Sequence, residues 1–308
     1  MDTTSALRNA LTIDVEDYFQ VSAFEREIDR SQWDSFESRA VSNTMRLLEI
    51  FAEENVKGTF YVLGWVAEKY PQLVREIAAA GHELASHSYW HRLVYEQSPR
   101  QFREDLKRSK DILENLSNQA ITSFRAASFS ITERSLWALE ILVEEGFTLD
   151  SSIFPVYHDR YGIPDANPEI HQQLTPSGSI DEFPPSVYPI GKWNLPISGG
   201  GYFRLYPLPW SLYCLKQVNQ VHQRPFVFYL HPWEIDPEQP KLNAGSKLSR
   251  WRHCVNLHST ERKLRSLVQT FSFAPISEVV QQVKDDHLNC KAGASQKPGV
   301  SPLPASLS

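Results

Sequence analysis

Short apolar runs alternate along the first half of the chain with stretches whose apolar positions recur every three or four residues. The short runs fit buried strands and the periodic stretches fit helices. Strands are expected at 9–13, at 58–63, immediately before His87, at 121–124 and at 147–149. Between them, Leu47, Leu48 and Phe51 form one helical face. Pro71 opens a helix whose inner face is Leu73, Val74, Ile77 and Ala78, and Gly81 closes it. Ser98-Pro99 opens a highly charged helix through Phe102, Leu106, Ile112, Leu113 and Leu116. Thr132 caps another, backed by Leu136, Leu139, Ile141 and Leu142 and ended by Gly146. This alternation predicts a mainly parallel α/β sheet, either open or closed into a barrel.

The pattern changes at 151–209, where helical periodicity disappears and Pro and Gly become frequent. A segment of that length is expected to hold hairpins and loops over the functional face. A helix at 210–221, a strongly β-prone strand at 226–230, a helix at 259–271, a short strand and a last helix near 277–283 follow. The polar, proline-rich residues 291–308 read as a disordered tail. The reading is one domain over 1–290, with a loop-rich insertion near 151–209.

Composition narrows the class. The 308 residues are 41% hydrophobic and 22% charged, as in a globular protein, and the net charge of -6 argues against a nucleic-acid surface. Aromatic residues make up 12%, including eight tryptophans. Most are expected in the core, the alternative being a groove on which flat sugar faces lie. Cys214, Cys254 and Cys290 form no CxxC pair, residues 1–10 carry no secretory pattern, and no apolar run approaches the roughly 18 residues of a membrane span. A cytoplasmic location is the expectation.

Five polar residues each follow a different predicted strand: Asp14, His87, Arg125, Asp150 and His231. In a parallel barrel the C-terminal strand ends share one face, where catalytic groups gather. His87 and His91 stand four apart, so on a helical turn both imidazoles reach one metal ion, with a carboxylate needed to complete the site. Such an ion polarises a carbonyl, a further carboxylate takes a proton from water, and a histidine opposite protonates a leaving amine. That equipment hydrolyses an amide.

The wording Leu11-Thr12-Ile13-Asp14, His87-Ser88-Tyr89-Trp90-His91, Phe124-Arg125-Ala126 and Leu230-His231-Pro232-Trp233-Glu234 resembles the polysaccharide deacetylases of carbohydrate esterase family four, the NodB-homology fold. The resemblance spans about residues 9–283. Asp14-Val15-Glu16-Asp17-Tyr18-Phe19, Asp150-Ser151-Ser152 and Gly199-Gly200-Gly201-Tyr202-Phe203 look like one subfamily, found in bacterial exopolysaccharide loci associated with the PEP-CTERM/exosortase system. The resemblance implies a distorted, incomplete (β/α) barrel that removes N-acetyl groups from amino sugars with a divalent metal, zinc first and cobalt or nickel as alternatives. By position, it implies Asp14 as base, Arg125 as the residue holding it, His231 as acid with Asp150 in support, and His87 and His91 as metal ligands. The family usually carries two adjacent aspartates in its first motif, where Val15 follows Asp14 here, so the metal carboxylate is Glu16 or Asp17. Glu16 is expected, because i and i+2 point the same way on a strand. Ala127 stands where the family usually has proline, which removes one restraint from the loop after Arg125. Most of the family works outside the cytoplasm, whereas the N-terminus here reads as lacking an export signal. Two rivals are an allantoinase-like cyclic amide hydrolase of the same fold, against which the two histidines argue, and a catalytically silent carbohydrate-binding protein, against which Asp14 and His231 argue.

Overall fold

The structure is a computed structural model that describes residues 7–158 and 160–294. Its centre is a sheet built from β1 (Asn9–Val15), β2 (Thr59–Val62), β3 (Glu83–Ser86), β4 (Ser123–Phe124), β5 (Leu149–Asp150), the hairpin β6 (His171–Thr175) and β7 (Gly178–Glu182), then, past a separate hairpin of β8 (Val187–Ile190) and β9 (Trp193–Pro196), β10 (Val227–Leu230) and β11 (Phe273–Ala274). The order is β10-β1-β2-β3-β4-β5-β7-β6, with β11 pairing the start of β1. Every pairing in this sheet is parallel except β6 with β7. The C-terminal ends of β1, β3, β4, β5 and β10 therefore lie along one edge.

The sheet curls without closing by a continuous ladder. Between β7 and β10 the gap is crossed by isolated contacts: Val227 N–H donates to Ser186 Oγ (2.9 Å), and Gly199 bridges to Tyr229. Gly199 is required there, because its φ is +133° and a Cβ would stand 1.9 Å from the Tyr229 carbonyl oxygen. The result is the incomplete (β/α) barrel anticipated above, with the 151–209 segment contributing β7 to the sheet as well as loops over its mouth.

Helices α1 (Ala40–Glu53), α2 (Gly64–Lys69), α3 (Pro71–Ala79), α4 (Pro99–Ser117) and α5 (Trp137–Glu144) alternate with the strands. The local signals account for their ends. Pro71 sits at the first helical position of α3, and Gly81 follows its end with φ +76°. Ser98 caps α4 by a reciprocal pair with Gln101: Gln101 N–H donates to Ser98 Oγ, and Ser98 N–H to Gln101 Oε1. Phe102, Leu106 and Leu113 form the buried stripe of α4. Thr132 caps a single 3-10 turn, Glu133–Ser135, that leads into α5.

The second half departs further from the expected pattern. A short helix α6 (Gly200–Leu205) stands where no helical period is visible, because three of its first residues or their neighbours are glycines that carry no apolar signal. Helices α7 (Leu208–Gln220), α8 (Lys247–Cys254), α9 (Leu257–Thr270) and α10 (Ile276–Ala294) follow, α10 running beyond the expected end at residue 283. The rest of the proposed tail lies outside the described residues. Among the described residues no helix is long and apolar enough to cross a membrane, and Cys214 and Cys254 are free thiols.

Candidate active site

β1 carries Asp14 at its end, and the chain then folds back tightly, with Glu16 N–H donating to the Asp14 carbonyl (3.0 Å). The two acids that follow part company. Asp17 turns towards the start of α1, where its carboxylate accepts from Ser38 Oγ (2.5 Å) and from the backbone N–H groups of Arg39 and Ala40. A carboxylate there satisfies orphan donors at the positive end of the helix. Glu16 turns to the histidines instead, with Oε2 2.7 Å from His91 Nε2. Of the two first-motif carboxylates, Glu16 alone joins them.

β3 ends at Ser86 and delivers His87. The segment to His91 is not helical, contrary to the expected helical turn: Ser88 and His91 both have left-handed φ, +65° and +52°. The imidazoles converge because the loop is pinned. Asp105 on α4, buried, accepts from Tyr89 N–H (2.6 Å) and Trp90 N–H (3.1 Å), and Gly64 N–H donates to the Ser88 carbonyl (2.8 Å). Asp105 escaped the sequence reading; its signal is a carboxylate set within the apolar stripe of α4.

His87 Nδ1 lies 2.8 Å from the Arg125 carbonyl oxygen. A carbonyl only accepts, so Nδ1 carries the proton and Nε2 is left as a lone-pair donor. Burial pushes the His87 pKa down to about 4, which keeps the ring neutral. Burial works in the opposite sense on Glu16, but the neighbouring His91, with His231 and His87, draws it down to about 2. Ligand atoms of Glu16, His87 and His91 all lie within 4.8 Å of one another. The close Glu16–His91 approach is not directed as a hydrogen bond, so Glu16 Oε2 is buried without a hydrogen-bond partner. Two imidazoles and an ionised carboxylate with an unsatisfied oxygen form a donor set that fits a divalent ion of the zinc type.

Beside this triad, Arg125 Nη1 donates to Asp14 Oδ1 (2.8 Å) and to Thr12 Oγ1 (2.7 Å). Its Nη2 and Nε reach Ser151 Oγ (2.8 Å) and the Ser151 carbonyl (3.2 Å). Its guanidinium lies over Tyr61 at 4.2 Å. Four hydrogen bonds and a stacked face leave the side chain little freedom. The backbone beyond Arg125 is tied down despite Ala127: Ala126 N–H donates to Ser152 Oγ (2.8 Å).

His231 follows β10 and points its Nε2 into the site, 3.9 Å from Asp14 Oδ2 and 3.6 Å from Glu16 Oε1. Its Nδ1 pairs with Glu234 Oε1 at 2.7 Å. Glu234, fully buried, in turn accepts from Arg204 Nε of α6 at 2.6 Å, and Arg204 Nη1 holds the carbonyls of His253 and Val255. Burial opposes charge on the imidazole, yet the Glu234 hydrogen bond and the acids around it raise its pKa to about 9.

Asp150 ends β5, where the sequence reading puts it, but its partners are Ser152 and Glu182 and not His231. The acid beside His231 is Glu234, which the reading quoted within a motif without giving it a role. Asp150 faces Glu182 across the β5–β7 pairing and accepts from Ser152 Oγ (2.6 Å). Burial pushes both carboxyls up, Glu182 furthest because Asp150 lies beside it. Asp150 reaches the site indirectly, through Ser151 and Ser152, which hold Arg125 and Ala126. The signal missed for Glu234 was its i+3 spacing from His231 on a turn rich in prolyl and aromatic residues.

Comparisons with known proteins agree with this geometry. Residues 28–143, which include His87, His91 and Arg125, match the family model described as polysaccharide deacetylase. Residues 151–281, which include Arg204, His231 and Glu234, match a model described as a domain of unknown function, DUF3473. The chain is 34% identical over 98 residues to a peptidoglycan-N-acetylglucosamine deacetylase of Bacillus cereus, covering 32% of this chain and 36% of that one. It is 44% identical over 48 residues to a chitooligosaccharide deacetylase of Sinorhizobium fredii, covering 16% and 22%. The chain thus spans well under half the length of these curated relatives. In fold it is similar to a putative polysaccharide deacetylase from Mycobacterium smegmatis (TM-score 0.60, 19% identity, 99% of this chain and 97% of that one). It is similar also to Puue allantoinase (TM-score 0.57, 14% identity, 92% and 91%). The stretch that holds the histidine and arginine motifs is thus similar to polysaccharide deacetylases, and the chain as a whole shares the fold of a putative polysaccharide deacetylase.

Proposed function

We propose that the protein is a metal-dependent hydrolase that removes N-acetyl groups from amino sugars of a bacterial exopolysaccharide or its precursor. The observation that carries this reading is the buried convergence of Glu16, His87 and His91 beside an Asp14–Arg125 pair and a His231–Glu234 pair. The exopolysaccharide assignment rests on the subfamily wording around Asp14, Asp150 and Gly199. The Glu16–His87–His91 donors also separate this reading from a cyclic amide hydrolase that works without metal.

The residues divide the work as follows. Glu16, His87 and His91 would hold a divalent ion, zinc or else cobalt or nickel, which supplies Lewis acidity to an acetyl oxygen and to water. Arg125 fixes one carboxylate oxygen of Asp14, so the other, Oδ2, faces the site and takes a proton from the attacking water. The new C–O bond forms at the acetyl carbon as the C–N bond weakens. His231 Nε2, across the site, gives its proton to the departing nitrogen, and Glu234 holds the imidazole by Nδ1 so that Nε2 points inward. The products are acetate and a free amine on the sugar.

A screen of N-acetylated glycans for acetate release, with zinc, cobalt or nickel added, tests this reading. Acetate and new amine should appear in equal amounts from at least one glycan. Binding of glycans without acetate release under any metal would replace the enzyme by a carbohydrate-binding protein.

A further inference from the structure

The groove next to His231 differs in charge from the molecule around it. A cavity of about 380 Å³ runs against Tyr229 and Trp233. The Trp233 ring stacks on the His231 imidazole with centroids 5.2 Å apart, so the cavity adjoins the acid side of the site. Arg160 lines it from the 151–209 segment and Arg252 from α8. None of its described lining residues is an aspartate or a glutamate, in a chain that carries 37 acids against 31 lysines and arginines. Arg204, which also reaches the cavity, is committed to Glu234. Among the described residues Arg160 and Arg252 pair with no carboxylate, and Arg252 is exposed.

Several of the other lining residues are aromatic. Tyr161 and Tyr202 meet through their hydroxyls (3.2 Å) and line the cavity with Trp233, whose ring packs between His231 and His253, while the Tyr161 ring stacks on His158. A phenolic hydroxyl can both donate to and accept from a sugar hydroxyl. A guanidinium matches a carboxylate in a two-pronged geometry that an ammonium lacks. A patch that is cationic and, among the described residues, without acids, set beside the leaving-group side of the site, complements one kind of sugar.

We propose that this groove binds a carboxylate-bearing sugar next to the N-acetyl residue being processed, so that the substrate is an acidic glycan and Arg160 and Arg252 determine specificity. The proposal rests on the deacetylase reading above and narrows its substrate class. It also gives part of the segment of unknown function a role in choosing substrate.

The test compares two oligosaccharides of equal length, one alternating N-acetylglucosamine with glucuronate and one of N-acetylglucosamine alone. Binding is measured by calorimetry on the zinc-loaded full chain, and acetate release is followed on both. The acidic glycan should bind at least about tenfold tighter, by an advantage that shrinks as salt is raised from about 0.05 to about 0.5 M. The double variant R160A/R252A should bring the acidic-to-neutral ratio close to one, and R252K should restore only part of it. Both residues lie at the surface, so the fold is expected to survive, and an unchanged melting temperature checks this. Equal affinity for the two glycans, no binding of either, or a double variant that keeps the preference would overturn the proposal. Acetate release from both glycans with the same KM would overturn it and leave the deacetylase reading standing. Selective binding of the acidic glycan without acetate from either would instead overturn the deacetylase reading.

Discussion

Replacing Glu234 by glutamine tests the proposed acid without touching it. Burial alone would lower the His231 imidazole; the Glu234 hydrogen bond and the charges of Glu16, Glu234 and Asp14 raise it from 6.5 to about 9. A histidine raised in this way is protonated through neutral pH and loses its proton as pH climbs through about 9. Glutamine keeps a hydrogen-bonding oxygen but removes the charge, and burial then holds the ring at or below about 6.5. With pKa values of about 9 and about 6.5, the protonated fraction at pH 8 falls from about nine-tenths to about 3%. Turnover on an N-acetyl glycan should therefore drop about thirtyfold at pH 8 and about fourfold at pH 7, with the alkaline limb of the pH profile moving towards neutrality. An activated aryl acetate, whose leaving group needs no proton, should show a much smaller loss. Stability follows the same sign: the contribution of the raised His231 is complete below pH 6.5 and lost as pH rises through 9, a window that should vanish in E234Q. An alkaline limb that stays near pH 9 in a folded E234Q protein, or equal losses on both substrates, would refute this reasoning.

The other predictions address the neighbouring groups. D14N should retain fold and metal and lose on the order of 10²–10⁴-fold in turnover, the usual contribution of a positioned general base; near-normal turnover removes Asp14 from that role. R125A should act on the same step, so D14N/R125A should lose less than the sum of the two single effects in free energy, and full additivity would disprove the coupling. E16Q should lose bound zinc in equilibrium dialysis, while D17N should keep it and lose about 1 kcal/mol of stability with its cap on α1; the opposite pattern would exchange the two acids. G199A should be strongly destabilised in a denaturant melt, because its Cβ would collide with the Tyr229 carbonyl and its φ is positive.

How far the sequence reveals the site depends on the range of each signal. Strand ends were readable because an apolar run that stops at a polar residue is a local pattern, and Asp14, His87, Arg125 and His231 all fall on the shared edge. The separation of Glu16 from Asp17 followed from alternation, although the backbone folds back after Asp14 instead of continuing as a strand. Tertiary partners were not readable. Asp150 looked like the support of His231 because both end strands, and only the packing shows that Glu182 occupies one and Glu234 the other. Arg204 lies in a glycine-rich stretch without period, and nothing local to it indicates Glu234 thirty residues away. The turn that joins His87 to His91 is shaped by Asp105 from a different helix, so a helical reading of the i, i+4 spacing reached a pair that does converge, by the wrong geometry.

The central claim is that Glu16, His87 and His91 hold the ion on which deacetylation depends. The direct measurement is acetate release from an N-acetylated glycan by chelator-stripped protein, followed as zinc is added back one fraction of an equivalent at a time. Turnover should rise from near zero and level off at one equivalent per chain, and H87A should stay near zero throughout that range. Full turnover by the stripped protein before any zinc is added would contradict the account.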